Sequence, residues 1–382
     1  MVVTVIGYEL FQITRDSFAI GIAGLSEFIP VFTLALYAGH VIDKSDKRSL
    51  LLKGMITYSL CIAALIVFTT PSLQQKLSAQ TNALLFYIII FCSGVVRAFS
   101  GPTANAIIAQ LIPRDVLRFA ASLSSTSYLS ASILGHASAG FLIAYIGVNK
   151  TLYIVFALVV AAAFILSRVS KKPAVNSEQP LRAWDSVKEG LAFVFSNKIL
   201  LGAISLDLFA VLFGGAQALI PEIADRILQV GPVGFGWLNA AMDIGSGIVI
   251  ISLTFFPLLR KQGYKLMYAV AFFGICIVIF GLSKIYVISF AALLLAGMVD
   301  GISVVVRSTV LQLSTPDQMR GRVSAVNSMF INSSNELGQF ESGFTYRLLG
   351  GAQPAVVFGG IMTMIVVVIT WIRAPRLRKF EY

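Results

Sequence analysis

Seven ionisable side chains lie inside long apolar runs of this sequence, where they could hold or move charge. They are Glu27, Arg97, His136, Asp207, Asp243, Asp300 and Arg307. A carboxylate or an imidazole can take up and release a proton, and a guanidinium can hold a carboxylate in place. Such groups are costly within hydrocarbon, and they usually face a pathway or pair with one another. We therefore expect these residues to line a cavity. They are also candidates for coupling the uptake and release of a proton to events in that cavity.

Ordinary structural roles remain open for several of them. The acids could simply pair with Arg97 or Arg307. For His136, a buried packing residue with its hydrogen bonds satisfied fits as well as a proton carrier. Glu336 and Glu341, in the predicted span near 321–347, are ranked as weaker candidates.

The segments that hold these residues have the composition of a membrane protein. Of the 382 residues, 57% are hydrophobic and only 12% are charged, against about 25% in an ordinary soluble domain. Apolar runs of about 18 residues or more are long enough to cross a bilayer as helices. Such runs are predicted near 17–41, 49–70, 83–112, 118–146, 150–168, 199–221, 233–258, 265–283, 286–314, 321–347 and 353–373.

The first apolar run, Met1 to Thr14, is too short to span a bilayer. We interpret it as the second half of a helix whose beginning is missing from this chain. A polar, basic stretch divides the remaining spans into two sets. The predicted organisation is an N-terminal helical bundle at 1–168, a cytoplasmic linker at 169–198 with a short amphipathic helix near 185–195, and a C-terminal bundle at 199–382.

The distribution of cations predicts the orientation. Most of the 29 Lys and Arg residues lie in alternate breaks, which include the linker and the tail after residue 373. Because cytoplasmic loops are enriched in Lys and Arg, the carboxy terminus is predicted to be cytoplasmic. The same distribution explains the net charge of +11 without nucleic-acid binding.

Several other kinds of site are not predicted. Cys61, Cys92 and Cys276 lie in apolar runs without metal-ligand spacing, so we interpret them as packing residues. No phosphate-binding G-x-x-x-x-G-K-[ST] loop is present, and the two histidines lie in separate spans. We expect no metal, no cofactor and no ATP-driven step, and a membrane enzyme is disfavoured because clustered catalytic groups are lacking.

The two halves share an internal pattern. Residues from Gly94 through Pro113 to Gly140 align without a gap on residues from Gly297 through Pro316 to Gly343. A gapless match of this kind indicates duplication of a helical unit. Parallel repeats of such units occur in transporters whose two bundles rock about a site at the bilayer midplane.

The break after the span at 17–41 carries a recognisable motif. Gly39, Asp43, Lys44, Lys47 and Arg48 match the signature loop G-x-L-a-D-r-x-G-r-[RK] of the major facilitator superfamily, which the chain resembles over essentially its whole length. The match departs at one position, where an aspartate replaces the usual glycine. A glycine allows close helix approach, and a carboxylate can cap the positive amino terminus of another helix.

Two further elements depart from the family's patterns. Arg97 to Gly101 resembles R-x-x-Q-G with Ser100 in place of Gln, and Gly135 to Gly140 lacks the proline and paired glycines typical of the drug antiporters. Four short sequence segments resemble those of the subgroup that includes enterobactin exporters and macrolide efflux proteins. These segments lie at 8–10, 219–221, 230–232 and 316–323.

The resemblance implies an all-α polytopic membrane protein with the major facilitator fold, two six-helix bundles related by a pseudo-two-fold axis. It also implies a secondary transporter of the efflux and antiporter type, acting as a monomer in the bacterial plasma (inner) membrane by alternating access. The expected partners are the lipid bilayer, protons and a small amphipathic substrate such as a drug or siderophore. A small-solute uptake facilitator of the same fold and a non-transporting membrane receptor or remnant are the alternatives.

Overall fold

The described part of the chain is built from long α-helices, which satisfy their own backbone hydrogen bonds in hydrocarbon. This computed structural model describes residues 1–113, 116–170, 183–256, 258, 260–316 and 319–381. The longer helices are α1 Val2–Thr14, α2 Phe18–Lys44, α3 Lys47–Phe68, α4 Ala79–Leu111, α5 Leu117–Ser167, α6 Ala183–Ser196, α7 Lys198–Gly214, α8 Gly231–Phe255, α9 Gln262–Leu282, α10 Tyr286–Leu313, α11 Arg320–Leu349 and α12 Ala352–Arg373. The predicted all-α polytopic fold is confirmed.

One long helix is broken where the sequence predicts two spans. Within α5, Gly147 has φ 80° and ψ 167°, a conformation that side-chain-bearing residues rarely adopt. Beside this break, the Asn149 amide donates to the carbonyl of Ile66 at 2.7 Å and to the hydroxyl of Thr69 at 2.8 Å. The break is thereby held against the end of α3, and the predicted boundary near residues 146–150 is confirmed.

Among the described residues, nine helical segments are long and apolar enough to cross a membrane. α11 is not one of them, although it is long enough, because Asn, Ser, Gln and Glu residues interrupt its apolar positions. Its buried residues include Ser334, Glu336, Ser342 and Thr345. A helix whose buried face is polar is suited to lining a cavity rather than to facing lipid.

The chain separates into two compact units. Unit 1 comprises Met1–Arg15 and Ile22–Trp184, and unit 2 comprises Asp16–Gly21 and Asp185–Tyr382. Residues 171–182 of the predicted linker lie outside the described residues.

The short segment at the start of α2 has its contacts in unit 2. Arg347 donates to the carboxylate of Asp16 at 2.5 Å, and the hydroxyl of Ser17 donates to Glu222 at 2.6 Å. These polar contacts join the segment to α11 and to the short helix Ile220–Glu222 that follows α7.

The predicted amphipathic helix forms as α6 and packs on unit 2. Val194 is buried in a cluster that also contains Leu200 and Val326, and Leu191 packs against the same cluster. Gly190 lies so close to the backbone of α11 that an added Cβ would approach the carbonyl oxygen of Arg322 to 3.0 Å. The apolar face of α6 therefore contributes to the core of this unit.

Candidate functional site

A buried ion pair joins two helices of unit 2. Arg307 on α10 pairs with the carboxylate of Asp207 on α7, and their side chains are only 14% and 8% exposed. Arg307 Nε also donates to the carbonyl of Ser303 one turn earlier, at 3.3 Å. The guanidinium is thus fixed by two acceptors, which suits a planar group with several donors in a rigid arrangement.

The ion pair borders a cavity of about 290 Å³ that Asp300 also lines. α11 contributes polar groups to the lining, and the wall also includes apolar side chains. The remaining lining residues are Val211, Val304, Ser308, Asn327, Ile331, Ser334 and Asn335. A cavity with hydrogen-bonding groups, apolar walls and a fixed charge can hold a small amphipathic molecule.

The carboxylates of this cavity outnumber its cations. Asp207 and Asp300 are the acids in the lining, and Arg307 is its only described cation. Uptake of one proton by this group would leave it without net charge, and an uncharged group is favoured where water is scarce. The lining thus has one carboxylate in excess of its described cation.

Asp243 lies on α8, where that helix crosses α10 at very short range. A Cβ added at Gly245 would overlap the carbonyl of Leu294, and one added at Gly297 would overlap the carbonyl of Met242. Glycines of this kind let two helix backbones approach closely in a membrane protein. Asp243 is half-buried beside this crossing and does not line the 290 Å³ cavity.

The candidates of unit 1 find partners within that unit. Arg97 on α4 donates to Glu27 on α2 at 2.7 Å, with side chains 47% and 19% exposed. His136 Nδ1 lies 2.7 Å from the hydroxyl of Thr4 on α1. The sequence left open that one of the acids pairs with Arg97, and in the structure that acid is Glu27. The pairing follows from the packing of α2 against α4, where a Cβ at Gly94 would meet the Glu27 backbone at 2.8 Å.

The signature loop is shorter than the sequence indicates, because α2 continues to Lys44 and α3 begins at Lys47. An added Cβ at Gly39 would have no described atom within 4 Å. Lys47 is buried, and Arg48 donates to the carbonyl of Ser167. The side chains of Asp43 and Lys44 lie outside the described residues.

The aspartate that departs from the motif has a clear local role. The carboxylate of Asp46 accepts hydrogen bonds from the backbone N–H of Ser49 at 3.1 Å and from its hydroxyl at 2.5 Å. Asp46 is therefore the N-cap of α3, where aspartate is among the preferred residues.

Sequence reasoning missed the polar residues of α11 that line the cavity. Asn327, Ser334 and Asn335 carry no charge, so they did not stand out among the ionisable residues. The available signal was the low apolar content of this one span. In the described part of the chain, no three His, Cys, Asp or Glu side chains are grouped to hold a metal ion.

Comparison of the sequence with known protein families identifies the family of this chain. The model of the Major Facilitator Superfamily matches residues 1–339. The chain belongs to this superfamily. It is therefore an integral membrane protein of a transporter family, and the predicted resemblance is confirmed.

Curated relatives of the superfamily are distant in sequence. The chain is 23% identical to the uncharacterized MFS-type transporter YfiS of Bacillus subtilis (strain 168), over 95% of this chain and 87% of that protein. It is 22% identical to the enterobactin exporter EntS of Shigella boydii serotype 18, over 83% of this chain and 74% of that protein.

Solved structures of the superfamily share the fold. The nucleoside transporter NupG, in a mutant form, matches with a TM-score of 0.70 at 13% identity, covering 97% of this chain and 94% of that one. An inward-facing bacterial homologue of the human lysosomal transporter Spinster matches with a TM-score of 0.65 at 14% identity, covering 98% and 93%. The predicted major facilitator fold is thereby confirmed.

Proposed function

We propose that this chain is a proton-coupled secondary transporter that exports a small amphipathic molecule across a bacterial plasma membrane. The observation that carries the proposal is the cavity of unit 2, where two carboxylates, Asp207 and Asp300, line the wall beside one described cation, Arg307, which pairs with Asp207. Ionisable groups inside membrane proteins usually mark transport pathways or proton relays. The similarity to enterobactin exporters supports the outward direction.

The substrate class follows from the lining of this cavity. Asn327 and Asn335 offer amide donors and acceptors, Arg307 offers a cation, and Val304 and Ile331 offer apolar surface. A molecule with both an apolar body and a few polar groups complements such a wall. Drugs and siderophores are the substrate types we expect, and we expect a monomer to suffice.

Protons couple to transport in this proposal through the carboxylate that the ion pair does not neutralise. Arg307 pairs with Asp207, which leaves Asp300 as the excess carboxylate of the lining. Sequence spacing alone favours Asp243 or Asp207 as the proton carrier, with Glu27 or His136 as further candidates, because no cation lies within a helical turn of either aspartate along the chain. The ion pair changes that choice to Asp300. Arg307 is the tertiary partner of Asp207, and sequence spacing alone does not select Asp207 over the other acids.

The test is transport by purified protein in proteoliposomes with an imposed pH gradient. The panel contains a lipophilic cation, a catecholate siderophore and a nucleoside. We expect a proton gradient to drive an amphipathic member of the panel in the direction opposite to the protons. Proton-independent entry of the nucleoside alone would favour the uptake facilitator, and binding without transport would favour the receptor.

Carboxylate variants then separate coupling from binding. We expect Asp300→Asn to abolish gradient-driven transport while substrate exchange without a gradient continues. Asp243→Asn, Glu27→Gln and His136→Asn should retain gradient-driven transport, and Glu381→Gln at the exposed tail is the charge-matched control. Normal gradient-driven transport in both Asp207→Asn and Asp300→Asn would exclude coupling through this cavity.

A further inference from the structure

A long apolar groove runs along the outside of unit 2 between α7 and α12. Its volume is about 690 Å³, and its walls include Leu201, Phe209, Ile365 and Ile369. Phe209, Ile365 and Ile369 are exposed. Both helices are among the segments able to cross a membrane, so this groove lies at the depth of the lipid tails.

Cations gather at one end of this groove. Lys198 begins α7, Arg373 ends α12, and Arg376 follows in the short helix Pro375–Arg378; all three line the groove and are exposed. None of the three forms an ion pair with a carboxylate in the described part of the chain. A second cavity of about 370 Å³ adjoins this end and is lined by Lys198, Arg376, Ser196 and Asn197.

The cationic end is held in place by the fold. Leu377, next to Arg376, is 0% exposed, and the N–H of Gly263 donates to the carbonyl of Phe380 at 3.0 Å. Arg378, by contrast, is already engaged, because it lies over the Trp371 ring at 5.0 Å and donates to the Trp371 carbonyl at 3.4 Å. The tail therefore presents Arg376 toward the groove while it uses Arg378 for its own packing.

The groove is long enough to take a lipid tail. The stretch of α7 from Lys198 to Phe213 rises by about 23 Å. One leaflet contributes about 15 Å of the hydrocarbon core. An acyl chain can thus follow the groove while its headgroup stays beside the three cations.

Charge complementarity identifies the headgroup. Guanidinium groups bind phosphate through two parallel hydrogen bonds, and an ammonium group adds a compact positive charge. An ordinary loop that fixes topology needs cations but no adjoining groove. We propose that this groove is a binding site for an anionic glycerophospholipid of the surrounding membrane, with the phosphate held by Lys198, Arg373 and Arg376.

The test measures lipid binding to the purified full-length chain. Phosphatidylglycerol and phosphatidylcholine with the same acyl chains are titrated into the protein in detergent, and bound lipid is counted by native mass spectrometry. We expect preferential binding of phosphatidylglycerol. Replacing Lys198, Arg373 and Arg376 together by Gln should weaken this binding by roughly 100-fold, and each single replacement by about fivefold.

Two variants separate the site from general effects of charge and folding. Lys379→Gln removes a cation from the same tail outside the groove, and it should leave phosphatidylglycerol binding unchanged. Ile369→Trp fills the groove but keeps the cations, and it should weaken lipid binding. Thermal unfolding without added lipid confirms that each variant is folded.

Equal binding of the two lipids by the wild-type chain would overturn the proposal. Equal loss of binding in Lys379→Gln and in the triple variant would overturn it as well, because the effect would then follow net charge. Competition by glycerol phosphate as strong as that by phosphatidylglycerol would also overturn it, since the groove would contribute nothing.

Discussion

Arg307 on α10 forms its ion pair with Asp207 on α7, although Asp300 lies two turns away on the helix of Arg307 itself. The pair joins two helices of unit 2, and both side chains are almost fully shielded from water. A buried charge that loses its partner is strongly destabilising, whereas replacing both partners by neutral groups is much less so. The consequences for stability can be tested directly.

The first prediction concerns this pair. Arg307→Gln should lower the free energy of unfolding by about 3 kcal/mol, because Asp207 is left as a buried charge. The double variant Asp207→Asn/Arg307→Gln should recover most of that loss. Unfolding of the purified protein in detergent at neutral pH measures both.

The matched control is the ion pair of unit 1. The side chain of Arg97 is 47% exposed and that of Arg307 only 14%, so Arg97→Gln leaves its partner less completely buried and should cost less than Arg307→Gln. Equal destabilisation by Arg97→Gln and Arg307→Gln would contradict the argument from burial.

The second prediction concerns the cap of α3. Asp46→Ala should lower the free energy of unfolding by about 1 kcal/mol, because the N–H of Ser49 loses its acceptor. Asp46→Gly, which restores the residue usual in the family, should cost only a few tenths of a kcal/mol, and Asp46→Asn should be close to neutral. The same unfolding measurement applies, and wild-type stability in Asp46→Ala would show that the cap is unimportant.

The third prediction contrasts two glycines. Gly297→Ala would place a methyl group against the Met242 carbonyl and should destabilise the protein by about 1–3 kcal/mol. Gly101→Ala, inside α4 with open space around it, should stabilise by about 0.5–1 kcal/mol. Thermal unfolding should show shifts of opposite sign, and a Gly297→Ala variant as stable as the wild type would refute the close crossing of α8 and α10.

The fourth prediction concerns orientation. If the basic breaks face the cytoplasm, an impermeant thiol reagent should not label Ser45→Cys in intact cells. Lys76→Cys and Lys284→Cys, at breaks on the opposite side, should be labelled. The experiment uses a chain in which the three native cysteines are replaced by alanine, and membrane disruption should make Ser45→Cys reactive. Labelling of Ser45→Cys before disruption would reverse the assigned topology.

The sequence by itself determined the elements and the family. Apolar runs predict the helices because a bilayer accepts only segments whose length and polarity match its core. A positive φ is favourable at few residues other than glycine, so the helix break near Gly147 could also be predicted from the sequence. The signature loop indicated the superfamily from five matching positions.

Only the tertiary structure decided which charges meet. Sequence spacing relates Arg307 to Asp300 along one helix, but it carries no information on the neighbour that α7 brings against that helix. The same holds for Glu27 beside Arg97 and for the grouping of Lys198 with Arg376 at one end of a groove. The periodicity of apolar residues along a helix follows from local backbone geometry. Ion pairs and grooves depend instead on how separate helices pack. That packing is fixed by shape complementarity between many residues far apart in the chain.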